Sequence, residues 1–134
     1  MNLVYDSNVL IAYLEDEASA QEVETLLTDT SNVGFVHAIN LCEVFYHTRR
    51  KLGEKAAREA YAGVVGLGLN VREDMDEDFW QESGRIKADF AKVSLADCMC
   101  MALANRIGGE MVTSDRHEIE VLARHGVCRA RFVG

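Results

Sequence analysis

The segment Asn2–Leu14, NLVYDSNVLIAYL, follows the initial methionine. In it, a short apolar run stops at Asp6, and apolar residues then recur at helical spacing. The run Asn2–Tyr5 is typical of a buried strand, and the pattern over Ser7–Leu14 predicts an amphipathic helix. A strand that leads directly into a helix is the first half of a crossover between parallel strands. We therefore expect a parallel sheet that begins here, with an acidic residue at the carboxyl end of its first strand.

The same alternation of strand and helix continues along the chain. The apolar patterns predict further strands at 33–36, 69–72, 110–113 and 128–133, and helices at 20–28, 38–52, 54–65, 77–90, 94–107 and between 115 and 125. Such alternation predicts an α/β fold, a central and mainly parallel twisted sheet with helices on both faces. No repeat or linker interrupts the pattern, so we expect residues 1–134 to form a single domain.

The composition is typical of a soluble globular protein. Apolar residues make up 49% and charged residues 27% of the chain, a balance that argues against disorder. The longest stretch without Asp, Glu, Lys or Arg, Thr30–Cys42, is far shorter than the ~20 apolar residues of a membrane span. Asp6 interrupts the only apolar run that could open a signal peptide, and the four cysteines lack zinc-type spacing. We expect a cytoplasmic protein with reduced thiols and no membrane partner.

The net charge of −8, from 22 acidic and 14 basic residues, taken alone disfavours a nucleic-acid binder. The charges are unevenly distributed, however, with acids crowded into 73–82 and bases into 49–58. Runs of this kind are usually solvated faces. The overall charge therefore leaves the binding partner open.

Two acidic residues stand just past predicted strands. Asp6 follows the first strand and Asp115 follows the strand at 110–113, so both should project from the carboxyl edge of the sheet, where ligands of parallel α/β folds bind. Each residue could equally serve as the N-cap of the helix that follows it.

Two further acids lie inside predicted helices. Asp97 belongs to a helix that is apolar nearly all round, where a carboxylate is costly unless it is paired, hydrogen-bonded or bound to metal. The alternative is a capping box in which Ser94 caps the helix and Asp97 occupies the third position. Glu43 shares a helix face with Asn40 and His47, which is either a solvated polar stripe or a partly buried carboxylate site.

Four acids that converge on one cleft raise one another's pKa values unless a cation neutralises them. An oxygen-only donor set suits Mg²⁺ or Mn²⁺ better than zinc. Such ions bind phosphate oxygens and lower the pKa of an attacking water. Hydrolysis of phosphodiesters is the reaction class that uses this arrangement.

Four segments of the sequence together resemble PIN domains. Val4–Ile11 is similar to the opening of these domains, Asn40–Val44 to their second acidic element, Ser94–Ala102 to the third and Val112–Asp115 to the fourth. The order, the separations and the chain length resemble a compact PIN domain of the virulence-associated toxin C (VapC) kind. The resemblance implies a three-layer sandwich and covers essentially the whole chain.

The resemblance also implies an activity and a set of site residues. It implies a Mg²⁺- or Mn²⁺-dependent endoribonuclease, usually a homodimer and usually the toxin that a cognate antitoxin protein silences. The implied catalytic and metal-site residues are Asp6, Glu43, Asp97 and Asp115, and those that support the site are Asn8, Ser94 and Thr113.

The RNA-binding surface is expected to be local, because the chain as a whole is acidic. We expect Arg49, Arg50 and Lys51 to contact RNA, with Arg116 at the rim of the site as the second candidate. Two other functions stay open at this point, namely an RNA-processing nuclease without an antitoxin and a non-catalytic α/β interaction module. The module would use its acids only as helix caps and solvated faces.

Overall fold

Five strands form one parallel sheet in the computed structural model, which describes all 134 residues. The strands are β1 (Asn2–Tyr5), β2 (Val33–His37), β3 (Asn70–Arg72), β4 (Glu110–Thr113) and β5 (Ala130–Phe132), in the spatial order β3-β2-β1-β4-β5. Every neighbouring pair runs parallel. The predicted parallel sheet is confirmed. The two edge strands, β3 and β5, are shorter than predicted, as expected of strands with a partner on one side only.

Seven helices cover the two faces of the sheet. They are α1 (Ser7–Leu14), α2 (Ala20–Thr28), α3 (Ala38–Leu52), α4 (Glu54–Gly66), α5 (Glu77–Asp89), α6 (Leu95–Arg106) and α7 (Arg116–Arg124). Buried side chains of α1–α4 pack in one core with Leu3 and Tyr5, and those of α5–α7 pack in a second core with Val4. This division follows from the alternation of side chains along β1. The result is the expected three-layer sandwich. No helix combines the length and the apolar character needed to cross a bilayer.

Helix α6 is the most deeply buried helix of the fold. Eight of its residues are buried, including the consecutive run Cys98–Ala104. The sequence predicts this, because the segment is apolar on almost every side. Burial of α6 fixes its first turn, and with it Asp97, against the end of the sheet.

One close backbone contact sets β4 beside β1. A Cβ atom on Gly109 would lie 2.3 Å from the carbonyl oxygen of Asn2, a distance that no side chain tolerates. Glycine at this position lets β4 pair with β1, where Val4 lies opposite Met111. The strand that ends near Asp115 is thereby held next to the strand that ends at Asp6.

The order of the strands determines where a ligand can approach. From β1 the chain winds outward through β2 to β3, and the second half winds through β4 to β5 on the other side. The winding direction therefore reverses between β1 and β4. In open parallel sheets, the crevice at the carboxyl ends of two such strands is the usual binding site.

Candidate metal centre at the carboxyl edge of the sheet

Asp6 follows β1 directly and is the most buried acid of the site, with 2% of its surface exposed. Its Oδ1 accepts a hydrogen bond of 2.9 Å from the backbone N–H of Val9, so Asp6 is the N-cap of α1. Burial raises the pKa of Asp6 from 3.8 to about 7. The hydroxyl of Thr113 and the N–H of Val9 lower it, whereas the charges of Asp97 and Glu43 raise it further. Asp6 therefore caps a helix and also lies among other carboxylates.

Glu43 lies in the second turn of α3 and is held by two side chains. The hydroxyl of Ser7 donates a hydrogen bond of 2.8 Å to its Oε1, and the amide of Asn40 donates one of 3.3 Å to the same oxygen. The other carboxylate oxygen takes part in neither bond. Asn40 is fully buried, and its Oδ1 has no hydrogen-bond partner. The polar face of α3 that carries Asn40 and Glu43 is therefore partly buried and lies against α1.

Asp97 lies in the first turn of α6, whose N-cap is Ser94. The hydroxyl of Ser94 accepts a hydrogen bond of 3.1 Å from the backbone N–H of Asp97. Burial raises the pKa of Asp97 from 3.8 to about 6, the Ser94 hydroxyl lowers it, and the charges of Glu43, Asp115 and Glu118 raise it. The capping arrangement and the carboxylate cluster are therefore compatible.

Asp115 follows β4 and is the N-cap of α7. Its Oδ1 accepts a hydrogen bond of 3.1 Å from the backbone N–H of Glu118, and its own N–H donates to the Thr113 hydroxyl at 3.1 Å. Thr113 is fully buried, and its hydroxyl also lowers the pKa of Asp6. Thr113 thus links the ends of β1 and β4 at the reversal point of the sheet.

The fold brings the four predicted acids close enough to affect one another. Glu43 and Asp97 both act on Asp6, and Asp97 is in turn affected by Glu43 and Asp115. None of the eight ion pairs in the protein involves any of the four. The cluster therefore has no cationic side chain of its own.

The chemistry of these residues fits a divalent cation. As the side chains stand, no three acidic, histidine or cysteine side chains are spaced to hold a metal ion. The donors are nevertheless all oxygens, which Mg²⁺ and Mn²⁺ prefer. Burial and mutual repulsion raise the pKa values of Asp6 and Asp97, and the unpartnered Oδ1 of Asn40 is next to Glu43. A positive ion would relieve the repulsion.

Two residues at this site were missed by reasoning from the sequence alone. Ser7 holds Glu43, whereas its neighbour Asn8, which the family resemblance implies, is exposed. Glu118 lies near enough to raise the pKa of Asp97. Its position three residues after the N-cap Asp115 is the spacing of a capping box, and that spacing was the available signal.

The predicted RNA-contacting residues lie in two different places. In the last turn of α3, Arg49 pairs with Glu54 at 2.9 Å, Lys51 pairs with Glu15 at 3.2 Å, and Arg50 lies over the ring of Tyr46 at 5.0 Å. Their backbone positions are roughly 9–12 Å farther along the helix axis than that of Glu43.

Arg116, by contrast, directly follows Asp115. Its guanidinium lies 5.1 Å from the centre of the Phe132 ring. Among the predicted basic residues it is therefore the one that adjoins the acids.

The fold and this site together define a parallel α/β protein with a carboxylate cluster at the reversal point of its sheet. A sequence model of one family, the PIN domain, matches residues 3–124, and the chain belongs to the PIN domain family. A comparison with curated proteins gives no significant match.

Several solved structures share the fold. The chain superposes on VapBC2 from Rickettsia felis with a TM-score of 0.75, at 13% identity and with 100% of both chains covered. That structure is described as bound to a DNA fragment from the promoter of VapBC2. It superposes on DNA-bound VapBC from Salmonella typhimurium with a TM-score of 0.74, 22% identity and 98% of both chains covered. For VapC20 from Mycobacterium tuberculosis, described as a sarcin–ricin loop cleaving toxin, the TM-score is 0.66 at 17% identity, over 81% of this chain and 86% of that one.

Proposed function

We propose that this PIN domain, residues 1–134, is a Mg²⁺- or Mn²⁺-dependent endoribonuclease of the cytoplasm. The observation that carries the proposal is the meeting of Asp6, Glu43, Asp97 and Asp115 at the reversal point of the sheet, without a basic side chain to neutralise them. We assign these four acids as the metal-binding and catalytic residues. The solved structures with the same fold support the choice of substrate, because one of them is described as a sarcin–ricin loop cleaving toxin.

We assign Asp6 and Asp97 to direct contact with the ion, because burial raises the pKa of both carboxyl groups and both lie at the ends of the elements that meet at the reversal point. A divalent ion held by these acids would neutralise charge on the scissile phosphate and would lower the pKa of the attacking water. Ser7 and Asn40 fix the orientation of Glu43. The Thr113 hydroxyl accepts a hydrogen bond from the backbone N–H of Asp115 and also bonds to the carboxylate of Asp6.

Besides a bound metal ion, the helices are a source of positive potential at the site. Helices α1, α6 and α7 all begin beside the acids, at the N-caps Asp6, Ser94 and Asp115. The N-terminus of a helix carries a partial positive charge that favours bound anions. The backbone of the chain thus helps the site to hold an RNA phosphate despite the net negative charge of the protein.

We further propose that the chain is the toxin of a toxin–antitoxin pair and forms a homodimer. The structures with the same fold include complexes named VapBC and a toxin–antitoxin complex from Klebsiella pneumoniae. Helix α4 carries two exposed large apolar side chains, Tyr61 and Val65, at 49% and 40% exposure. Those side chains fit an interface with a second copy, and sedimentation of the purified protein tests this.

The nuclease proposal is tested by incubating the purified protein with structured and single-stranded RNA in Mg²⁺, in Mn²⁺ or in EDTA. We expect cleavage that requires a metal, leaves 5′-phosphate and 3′-hydroxyl ends, and is lost in Asp97→Asn. Glu120→Gln, an exposed acid on α7, serves as the matched control and should cleave as the wild type does. Cleavage that survives both EDTA and Asp97→Asn would contradict the proposal.

A further inference from the structure

A cavity of about 310 Å³ opens beside the acidic cluster, between the loop Phe90–Val93 and the first turns of α7. Its α7 wall is formed by His117, Glu118, Val121 and Leu122. The size falls within the range of small-molecule pockets. Two of its walls adjoin segments of the candidate metal centre. Val93 precedes the N-cap of α6, and the backbone N–H of Glu118 donates to Asp115.

The loop that forms one wall is fixed by the side chain of Lys87. Its ammonium group donates two hydrogen bonds of 2.7 Å, one to the carbonyl of Ala91 and one to that of Val93. The ring of Phe90 packs edge-on against the ring of His125, which follows α7, with 6.1 Å between the two ring centres. Because charged hydrogen bonds are the stronger kind, this wall keeps its shape without a ligand.

The lining of the cavity combines apolar walls with two polar side chains that are free of acidic partners. Phe90, Val93, Val121 and Leu122 provide the apolar surface. Lys92 and His117 lie at the edge, and neither takes part in any of the eight ion pairs of the protein. This distinguishes the cavity from the end of α3, where two of the three basic side chains are already paired with acids. An apolar slot bordered by an unpaired ammonium group and an imidazole complements a flat ring joined to a phosphate.

We propose that this cavity binds an unpaired base of the RNA substrate, next to the phosphate that is cleaved at the acidic cluster. This inference rests on the proposed nuclease function and adds a subsite to it. The apolar walls receive the face of the base, Lys92 and His117 contact its phosphate, and Glu118 offers an acceptor to the polar edge of the ring. Since a base can enter a pocket only when it is unstacked and unpaired, the site selects single-stranded or loop RNA over duplex.

Binding can be measured separately from cleavage with nucleoside monophosphates in EDTA. We expect adenosine, guanosine, cytidine or uridine 5′-monophosphate to shift the NMR methyl signals of Val93, Val121 and Leu122. The methyls of Val33, at the amino end of β2 and therefore away from the carboxyl ends of the strands, should not move. Ribose 5-phosphate, which lacks the base, should cause much smaller shifts. Equal shifts from ribose 5-phosphate and from all four nucleotides would overturn the base-binding assignment.

A variant that fills the cavity tests whether the subsite serves the reaction. Val121 is 36% exposed, so Val121→Trp should fold while its ring occupies the space. We expect weaker nucleotide binding and a KM for RNA cleavage raised at least about tenfold, with kcat changed far less, because binding of a remote group is lost. Ala91→Trp, in the loop, should have the same effect. Val33→Trp, at a position 44% exposed, is the matched control and should behave as the wild type.

The outcomes separate this inference from the nuclease proposal. If the wild type binds nucleotides in the cavity but cleaves no RNA, the nuclease proposal fails and the base-binding assignment stands. If the wild type cleaves RNA and both tryptophan variants keep its KM and its preference for single-stranded over duplex RNA, the nuclease proposal stands and the subsite is wrong.

Discussion

Replacing Asp6 with asparagine should make the metal-free protein more stable. Asparagine keeps the shape of the side chain and an oxygen that can accept the N-cap hydrogen bond from Val9, but it removes the charge. Raising the pKa of Asp6 from 3.8 to about 7 corresponds to about 4 kcal/mol of lost stability at a pH well above 7. Burial of the amide offsets part of this gain, so we expect Asp6→Asn to raise the free energy of unfolding by roughly 2–4 kcal/mol.

The gain has a characteristic dependence on pH. Because the folded pKa of Asp6 is raised, its destabilising effect is absent below the ordinary value of 3.8 and fully present only above about 7. The difference in stability between variant and wild type should therefore be near zero below about pH 3, where Asp6 is mostly protonated in both the folded and the unfolded wild type, and should grow steadily to about pH 8.

The assay is urea unfolding followed by circular dichroism, in EDTA, at several pH values across that range. Asp115→Asn serves as the matched comparison, because it neutralises another N-cap aspartate that is only partly buried, and we expect a smaller gain from it. If Asp6→Asn is no more stable than the wild type at about pH 8, or if its gain does not change with pH, the account of Asp6 as an ionised group in an unfavourable setting is refuted.

Four further predictions concern single residues. Asp97→Asn should lower cleavage at least about 100-fold, because charge stabilisation at the reacting phosphate is lost, without lowering the thermal midpoint; cleavage at the wild-type rate would remove Asp97 from the site. Ser7→Ala should lower the free energy of unfolding by about 1 kcal/mol and slow cleavage several-fold, since Glu43 loses its 2.8 Å hydrogen bond from Ser7. The control Ser31→Ala, on an exposed turn, should not slow cleavage. Asp74→Asn should lower the free energy of unfolding by about 1–2 kcal/mol near neutral pH, because hydrogen bonds from Arg72 and Arg106 lower the pKa of Asp74 to about 2. This stabilisation is present above pH 3.8 and disappears as the pH falls through about 2. A difference in denaturant midpoint that does not change with pH would contradict the assignment. Gly109→Ala should destabilise the protein by at least about 2 kcal/mol in the same assay, because its Cβ would lie 2.3 Å from the Asn2 carbonyl, and an unchanged midpoint would show that β1 and β4 can separate freely.

The sequence predicts the positions of the four acids because each one is tied to the start or the face of a helix. Asp6 and Asp115 follow apolar strands, and Asp97 stands in the first turn of a helix that is apolar all round. The rule that parallel strands share a carboxyl edge then brings these residues together. The strand order, however, depends on which strands pair, and periodicity does not encode it.

What the sequence could not predict depends on how separate elements dock. Whether Ser7 or Asn8 reaches Glu43 is decided by the rotation of α1 against α3, which are far apart along the chain. The pairing of Lys51 with Glu15 is equally non-local, and for that reason the sequence alone predicts that the basic residues of α3 are free to contact RNA. The loop Phe90–Val93 has no periodic pattern, and its cavity exists only because α7 packs beside it.

We expect the acids at the ends of β1 and β4 and those on α3 and α6 to form one divalent-metal site. Calorimetric titration of Mn²⁺ into the wild type, Asp97→Asn and the exposed control Glu120→Gln tests it directly. We expect saturable binding to the wild type and to the control, and loss of that binding in Asp97→Asn. Absence of binding to the wild type, or equal binding to all three proteins, would contradict it.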